Sequence, residues 1–234
     1  MTRPWQGMEP SRGFTLIELL VGIALMALMA AMSWRGLDGM AQAERQVRTY
    51  VDEVLTLQAS LAQWGADLDA MAEQTGQPSL DWDGRAMRIL RRDPVAPGEG
   101  LRVVAWARRA DGVAGHWLRW QSPPVRSRDA LEQAWVTAAA WAQNAGDAER
   151  AGEVRIAPID DWQIFYFRAD AWSNPLSSAG ASDAGGSESG TAAKGQAPAP
   201  VPEGVRLVLT LASGQAISGT ITRDWLRPTV GGGK

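Results

Sequence analysis

The sequence predicts an α+β protein: one long N-terminal helix, apolar enough in its first half to span a membrane, packed through its second half on a β-rich domain. Three observations predict it. Phe14 to Met32 are nearly all Leu, Ala, Met, Ile and Val, with Glu18 as the one carboxylate. A run of that length is what ~30 Å of hydrocarbon requires. Between Ala41 and Met71, Val47, Val54, Leu61 and Leu68 recur at heptad spacing beside a second row of Tyr50, Leu57, Trp64 and Met71. Together they form an apolar stripe of helical period. Beyond Pro78, short β-type segments follow one another, separated by Gly, Pro and Asp.

Composition narrows the function classes. The chain has 234 residues, and once the membrane run is set aside the rest suits one soluble domain. Its 23 basic and 26 acidic residues leave a net charge of -3, which gives no electrostatic case for nucleic acid. Cysteine is absent, so disulfide and thiolate chemistry are excluded. Twelve Trp stand against three Phe and two Tyr. Trp buries a large apolar body while its N–H seeks an acceptor, and core packing accounts for most of the twelve.

Taken in order, residues 1–13 are short and polar and carry Arg3 and Arg12. Basic residues ahead of an apolar run stay cytoplasmic, which leaves the remainder outside. Residues 14–34 form the spanning half of the helix and 35–72 the outer half, with Glu44, Arg45, Arg48, Asp52, Glu53 and Asp67 mostly off the apolar stripe. Unbroken from Phe14 to Met71, such a helix is ~85 Å long at ~1.5 Å per residue. Gly76 and Pro78 stop it. Residues 73–234 are the β-rich domain. Strands are expected at Ala86–Leu90, at Leu101–Arg109 and, after a turn at Asp111-Gly112, at His116–Gln121. Ser127 is placed to cap a helix from Arg128 to Asn144, with Leu131, Trp135, Ala138 and Trp141 or Ala142 facing the sheet. Val154–Pro158 and Trp162–Arg168 read as two further strands, the second apolar on both faces and therefore central. Residues 173–202 are Ser, Ala, Gly and Pro with almost no large apolar side chain. They read as a flexible surface insert. A last hairpin runs from Val205 to Leu211, turns at Ser213-Gly214 and returns over Ala216 to Thr222, with Trp225 and Leu226 following it and then a Gly-rich end.

Two features of the apolar run point to processing. A secretory signal carries its small-residue cleavage site after the apolar part, whereas here Gly13 lies before it. A cut there leaves the helix on the mature chain. Glu18 is costly inside a membrane, roughly 2.5–3.5 kcal/mol on insertion scales, and needs a partner. After a cut at Gly13 the α-amino group of Phe14 lies about one helical turn away, in the same chain or on a neighbour.

Gly13, Phe14 and Glu18, with Thr15-Leu16-Ile17 between them, resemble the type IV prepilin signature. The resemblance implies a type IV pilin-like fold, cleavage of residues 1–13 by a prepilin peptidase, N-methylation of Phe14, and Glu18 as an assembly contact in a filament core. Further along stand Trp34-Arg35-Gly36-Leu37, Leu61-x-x-Trp64-x-x-Asp67-Leu68, Arg91-Arg92-Asp93-Pro94, Asp161-Trp162 through Trp172, and Pro202-Glu203-Gly204-Val205. In that order they are similar to the J-type minor pseudopilins of type II secretion systems, and the chain departs from them at the Ser/Gly/Ala insert. This resemblance implies a non-enzymatic subunit of the pseudopilus tip complex that supports export of folded proteins. Its partners would be the I-type and K-type minor pseudopilins, and its place the inner membrane, single-pass, with the C-terminal domain in the periplasm. A minor pilin of a type IV pilus or DNA-uptake filament shares the N-terminal features, and a membrane-anchored periplasmic enzyme is a third class.

Sites for bond chemistry are sparse. His116 is the one histidine, so a multi-histidine metal centre is excluded, and no nucleophile elbow accompanies it. It reads as a core or solvent-facing side chain. Asp81-Trp82-Asp83-Gly84 opens like a calcium loop but lacks the later ligands, and reads as a polar turn. Arg91-Arg92 and Arg108-Arg109 read as solvated charges on sheet edges. No catalytic residue, metal, cofactor or small-molecule substrate is expected.

Overall fold

A computed structural model of the chain describes residues 13–93, 98, 100–111, 114–177 and 200–228. Outside the described residues lie the leader through Arg12, Pro94, Gly112 of the expected turn, most of the Ser/Gly/Ala/Pro insert and the Gly-rich end. Helix α1 runs from Leu16 to Asp69, and a boundary between two compact units falls within it, between Thr49 and Tyr50.

In the first unit α1 is apolar through Met32, and its large side chains are exposed, Leu16 at 76%, as is Phe14 just before it at 85%. The helix is long and apolar enough to cross a membrane. Gly22, Gly36 and Gly39 leave it unbroken, since the isolated glycines cost about 1 kcal/mol each and no proline joins them.

The second unit is built on one antiparallel sheet. Its strands are β1 (Leu80–Trp82), β2 (Ala86–Arg92), β3 (Leu101–Asp111), β4 (Ala114–Gln121), β5 (Glu153–Arg168), β6 (Ala171–Ser173), β7 (Gly204–Leu211) and β8 (Gly219–Leu226). Seven of them lie side by side in the order β1-β2-β3-β4-β5-β7-β8, and β6 pairs with β5. Helix α2 (Arg128–Asn144) and the single turn α3 (Asp147–Arg150) lie between β4 and β5 in the chain.

Strand alternation sorts the core into two layers. Met87, Ile89, Val104, Trp106, Trp117, Trp162, Ile164, Leu207 and Leu209 pack with Leu57, Trp64 and Leu68 of α1. Ala86, Leu90, Val103, Ala105, Ala107, Leu118 and Trp120 face the other way and pack with Leu131, Ala134, Ala138, Trp141 and Ala142 of α2. A side-chain period of two along each strand produces this split. The expected cap and bounds of α2 are as observed: Ser127 Oγ accepts from Ala130 N at 3.2 Å. Trp135 lies only half-buried, with the Arg88 guanidinium 5.5 Å above its ring. Among the described residues eight tryptophans are buried, and close ring pairs include Trp82 edge-on to Trp162 at 4.8 Å and Trp106 against Trp117 at 4.6 Å.

Several expectations are corrected. The stripe of α1 is buried only from its later part: Val47 and Tyr50 are exposed, whereas Leu57, Trp64 and Leu68 are buried. Val154–Pro158 and Trp162–Arg168 are one strand, β5, because a register shift between Ile159 and Asp161 absorbs the irregularity that reads as a break. That strand is central, but Gln163 on its second face is exposed. The return strand of the last hairpin starts at Gly219 and includes Trp225 and Leu226. The loop before it is held by Ala216 N donating to Glu53 Oε2 at 2.8 Å. Ser173 belongs to β6 and Pro202 is buried, so ordered structure reaches into both ends of the expected insert.

The β5–β6 hairpin turns on Ala169 and Asp170, at φ 47° and 61°. Two consecutive left-handed residues make the type I′ geometry that suits Asn-Gly, and a non-glycine residue there costs of order 1 kcal/mol or more. Replacing Ala169-Asp170 by Asn-Gly is therefore expected to stabilise the domain by about 1 kcal/mol, read as a rise in the thermal midpoint of the full-length chain in detergent.

Candidate functional site

The segment that carries the processing expectation begins outside any helix. Residues 13–15 are not helical and α1 starts at Leu16. Thr15 and Glu18 stand three apart at this start, the spacing of a capping box. Glu18 N donates to Thr15 O at 3.1 Å, and the Thr15 hydroxyl donates to Glu18 Oε2 at 3.5 Å. In the uncleaved chain the Phe14 nitrogen is a peptide amide, so Glu18 finds the threonine. A free amine at Phe14 would supply a cation about one helical turn from Glu18.

Among the described residues, a Cβ built at Gly13 meets nothing within 4 Å. The Gly13–Phe14 bond lies in an exposed stretch outside any helix or strand. Past the helix start, Leu16 to Met32 present a continuous exposed apolar surface, too large to leave in water.

In the second unit, the end of α1 is tied to the sheet by carboxylates. Asp67 is fully buried. Its Oδ2 accepts from Trp106 Nε1 on β3 at 2.9 Å and from Arg119 Nε on β4 at 2.8 Å, and its Oδ1 accepts from Arg119 Nη2 at 2.9 Å. Arg91 on β2 donates to Oδ1 through Nη1, and Gln63 one turn back donates at 2.9 Å. Asp69 accepts from Trp225 Nε1 of β8 at 2.8 Å, and Glu73 accepts from Arg227 at 2.7 Å. Acidic groups in a last helical turn oppose the helix dipole, and α1 has no basic residue there. Their donors on the sheet supply the compensation.

Asp67 is the residue that sequence reasoning placed wrongly, among side chains off the stripe. A signal was available: it lies three residues after Trp64 and four before Met71, on the same helical face. The arginine pairs are corrected with it. Arg91 is buried against Asp67 and its strand has neighbours on both sides. Arg108 donates to Ile159 O at 3.2 Å, and Arg109 makes a bidentate pair with Glu153. Only Arg92 is exposed as expected.

Asp81 and Asp83 do not form a cation loop. Both pair with Arg88, Asp81 from within β1, while Asp83 Oδ1 accepts from Arg85 N at 2.9 Å and Ala86 N at 2.8 Å to close the β1–β2 turn. Among the described residues no group of three or more His, Asp and Glu converges on a metal position. His116 lies on β4 with Arg155 Nη2 at 2.9 Å from its Nδ1. Glu153 is a further residue missed in the sequence. Burial pushes its carboxyl up, but hydrogen bonds from Arg109 and from Trp141 Nε1, with the charges of Arg109 and Arg150, outweigh this and hold it below the usual range.

The N-terminal residues 8–34 match the model of the prokaryotic N-terminal methylation motif. A solved structure of the GspK-GspI-GspJ complex from the type 2 secretion system of enterotoxigenic Escherichia coli is similar at 17% identity. The match covers 74% of this chain and 96% of that one, with a TM-score of 0.45.

Two outcomes check the sheet contacts. Asp67→Ala removes the carboxylate that Arg91 and Arg119 share and is expected to cost about 3–5 kcal/mol, measured by chemical unfolding. For Glu153 the folded carboxyl titrates below the unfolded one, so its contribution is present above the unfolded range and is lost as pH falls through the folded value. Glu153→Gln is thus expected to destabilise by about 1–3 kcal/mol at pH 7, and the gap to the parent chain should close as the medium is made acid.

Proposed function

We propose that this chain is a minor pseudopilin of the J type: a non-enzymatic subunit of the type II secretion pseudopilus tip, anchored in the inner membrane with its sheet domain in the periplasm. The observation that carries the reading is the methylation motif at residues 8–34, set at the start of a single apolar helix. In this reading a prepilin peptidase cuts after Gly13, the new Phe14 amine is methylated, and Glu18 pairs with the amine of a neighbouring subunit as the helix leaves lipid for the filament core.

The physics of the first unit supports assembly. A carboxylate in hydrocarbon is unfavourable alone, and a partner amine offsets that cost only when helices come together. The exposed apolar surface from Leu16 to Met32 is compatible both with lipid and with a bundle of like helices, so transfer between the two costs little. The second unit supports a structural role. Its buried carboxylate, Asp67, is engaged in holding α1 to the sheet, a structural use and not a catalytic one. The I-type and K-type minor pseudopilins are the proposed neighbours.

Two measurements test this. The full-length chain, co-expressed with I-type and K-type minor pseudopilins, is expected to co-purify with them. Recovery instead with type IV pilus subunits would assign it to the pilus or uptake filament. Glu18→Ala is expected to leave the chain in the membrane and cleaved, while its recovery in filaments falls about tenfold or more, since a lost buried pair exceeds ~1.4 kcal/mol. Unchanged filament recovery would contradict the assembly role.

A further inference from the structure

Trp34 and Arg35 stand in the first unit, where α1 leaves its apolar run. Between Glu18 and Arg35 no side chain of the helix is charged. Leu16 to Trp34 spans about 27 Å of helix, and a bilayer's hydrocarbon core is ~30 Å thick. Trp34 is the first aromatic side chain of α1 and is 72% exposed.

Charged side chains on either side of this point find partners within the chain. Glu18 accepts from the Thr15 hydroxyl at 3.5 Å, Asp38 from the Gln42 amide at 3.4 Å and Glu44 from Arg48 at 2.6 Å. Arg45 Nε donates to Ala41 O at 3.0 Å. Arg35 is exposed and, among the described residues, has no hydrogen-bond or ionic partner. An exposed tryptophan beside such an arginine, at the end of an apolar run of membrane length, matches the chemistry of a headgroup layer. Indole has an apolar body for acyl chains and an N–H for the wet zone above them. A guanidinium pairs its N–H groups with phosphate oxygens, while its aliphatic stem lies along hydrocarbon.

We infer that Trp34 and Arg35 bind the phospholipid headgroups at the far edge of the bilayer, and that this collar sets the depth of α1. Arg35 meets headgroup phosphate, and Trp34 lies at the boundary between headgroup and acyl chain. The depth matters for Glu18, which lies about 24 Å further back along the helix. With the collar at one hydrocarbon boundary, the carboxylate is held about 6 Å inside the other. Two side chains pull against that position. Glu18 gains by sliding toward water, and Leu37, 65% exposed, gains by following into hydrocarbon. Asp38 stops such a slide after about 4 Å. The inference rests on the membrane anchoring within the proposed function and is independent of the secretion assignment.

The test uses the full-length protein in vesicles of phosphatidylethanolamine and phosphatidylglycerol. The chain has no cysteine, so Ser33→Cys carries a single nitroxide. Its depth is read from its accessibility to oxygen and to a water-soluble nickel complex. With Trp34 and Arg35 in place the probe is expected just inside the hydrocarbon boundary. Trp34→Ala with Arg35→Gln is expected to carry it about 4 Å deeper. Trp34→Tyr with Arg35→Lys should hold the original depth, and so should Arg45→Gln, further along the exposed helix. Both collar residues are exposed, so the folded state survives their replacement. A vesicle-bound chain whose probe keeps its depth in the Ala-Gln variant, or sinks equally with Arg45→Gln, overturns the collar alone. A chain that stays out of the vesicles overturns the anchor as well. A depth that changes with the protein-to-lipid ratio also overturns the collar, marking contact between chains instead of contact with lipid.

Discussion

The second unit depends on one buried charge. Asp67 sits at the end of α1, where the helix dipole disfavours it, in surroundings with no water to solvate it. It is tolerable only because Arg91, Trp106 and Arg119 arrive from three adjacent strands to donate to it. That demand fixes the register of β2, β3 and β4, since a slip of one residue would turn these donors to the opposite face. The same demand fixes the rotation of α1, and Leu57, Trp64 and Leu68 are thereby directed into the sheet. Burying each such side chain contributes roughly 1.5–3 kcal/mol, but apolar contact alone would allow the helix to slide. The carboxylate selects one position along it.

A repeated pairing extends this selection. Trp106 donates to Asp67, Trp141 to Glu153 and Trp225 to Asp69. In each case the indole body fills the core and its N–H ends on a carboxylate that also marks a junction between a helix and the sheet. The abundance of Trp in the sequence is thus a packing feature with a polar end. Trp64 and Trp117 show the cost of the choice, for their buried Nε1 atoms have no hydrogen-bond partner.

What was legible in the sequence was local. The cap at Ser127, the bounds of α2 and the terminal hairpin follow from residues within a few positions of one another. The apolar run and the Gly13-Phe14-x-x-x-Glu18 pattern are equally local, and the motif match covers that stretch. Asp67 was misplaced because its partners lie 24, 39 and 52 residues away, and no periodicity announces a donor across a sheet. Arg91 looked like an edge charge because β1, three residues long, is too short to be seen as a neighbour of β2, and Arg109 because its partner Glu153 lies 44 residues away. Pro158 and the acidic pair after it hid the continuity of β5, since a proline lacks the ladder donor that ordinarily signals a strand.

The two units place opposite demands on one helix. Its later turns are held residue by residue through Asp67 and Asp69, whereas its start is a run of exposed apolar side chains. Among the described residues no contact within 4 Å calls for glycine at position 13. Intact-mass measurement of the protein from a host that carries a prepilin peptidase is the most direct test. The account predicts a mature chain that has lost residues 1–13 and gained one methyl group on the Phe14 amine. A membrane-bound chain that keeps Met1 to Gly13 in the presence of active peptidase would contradict it.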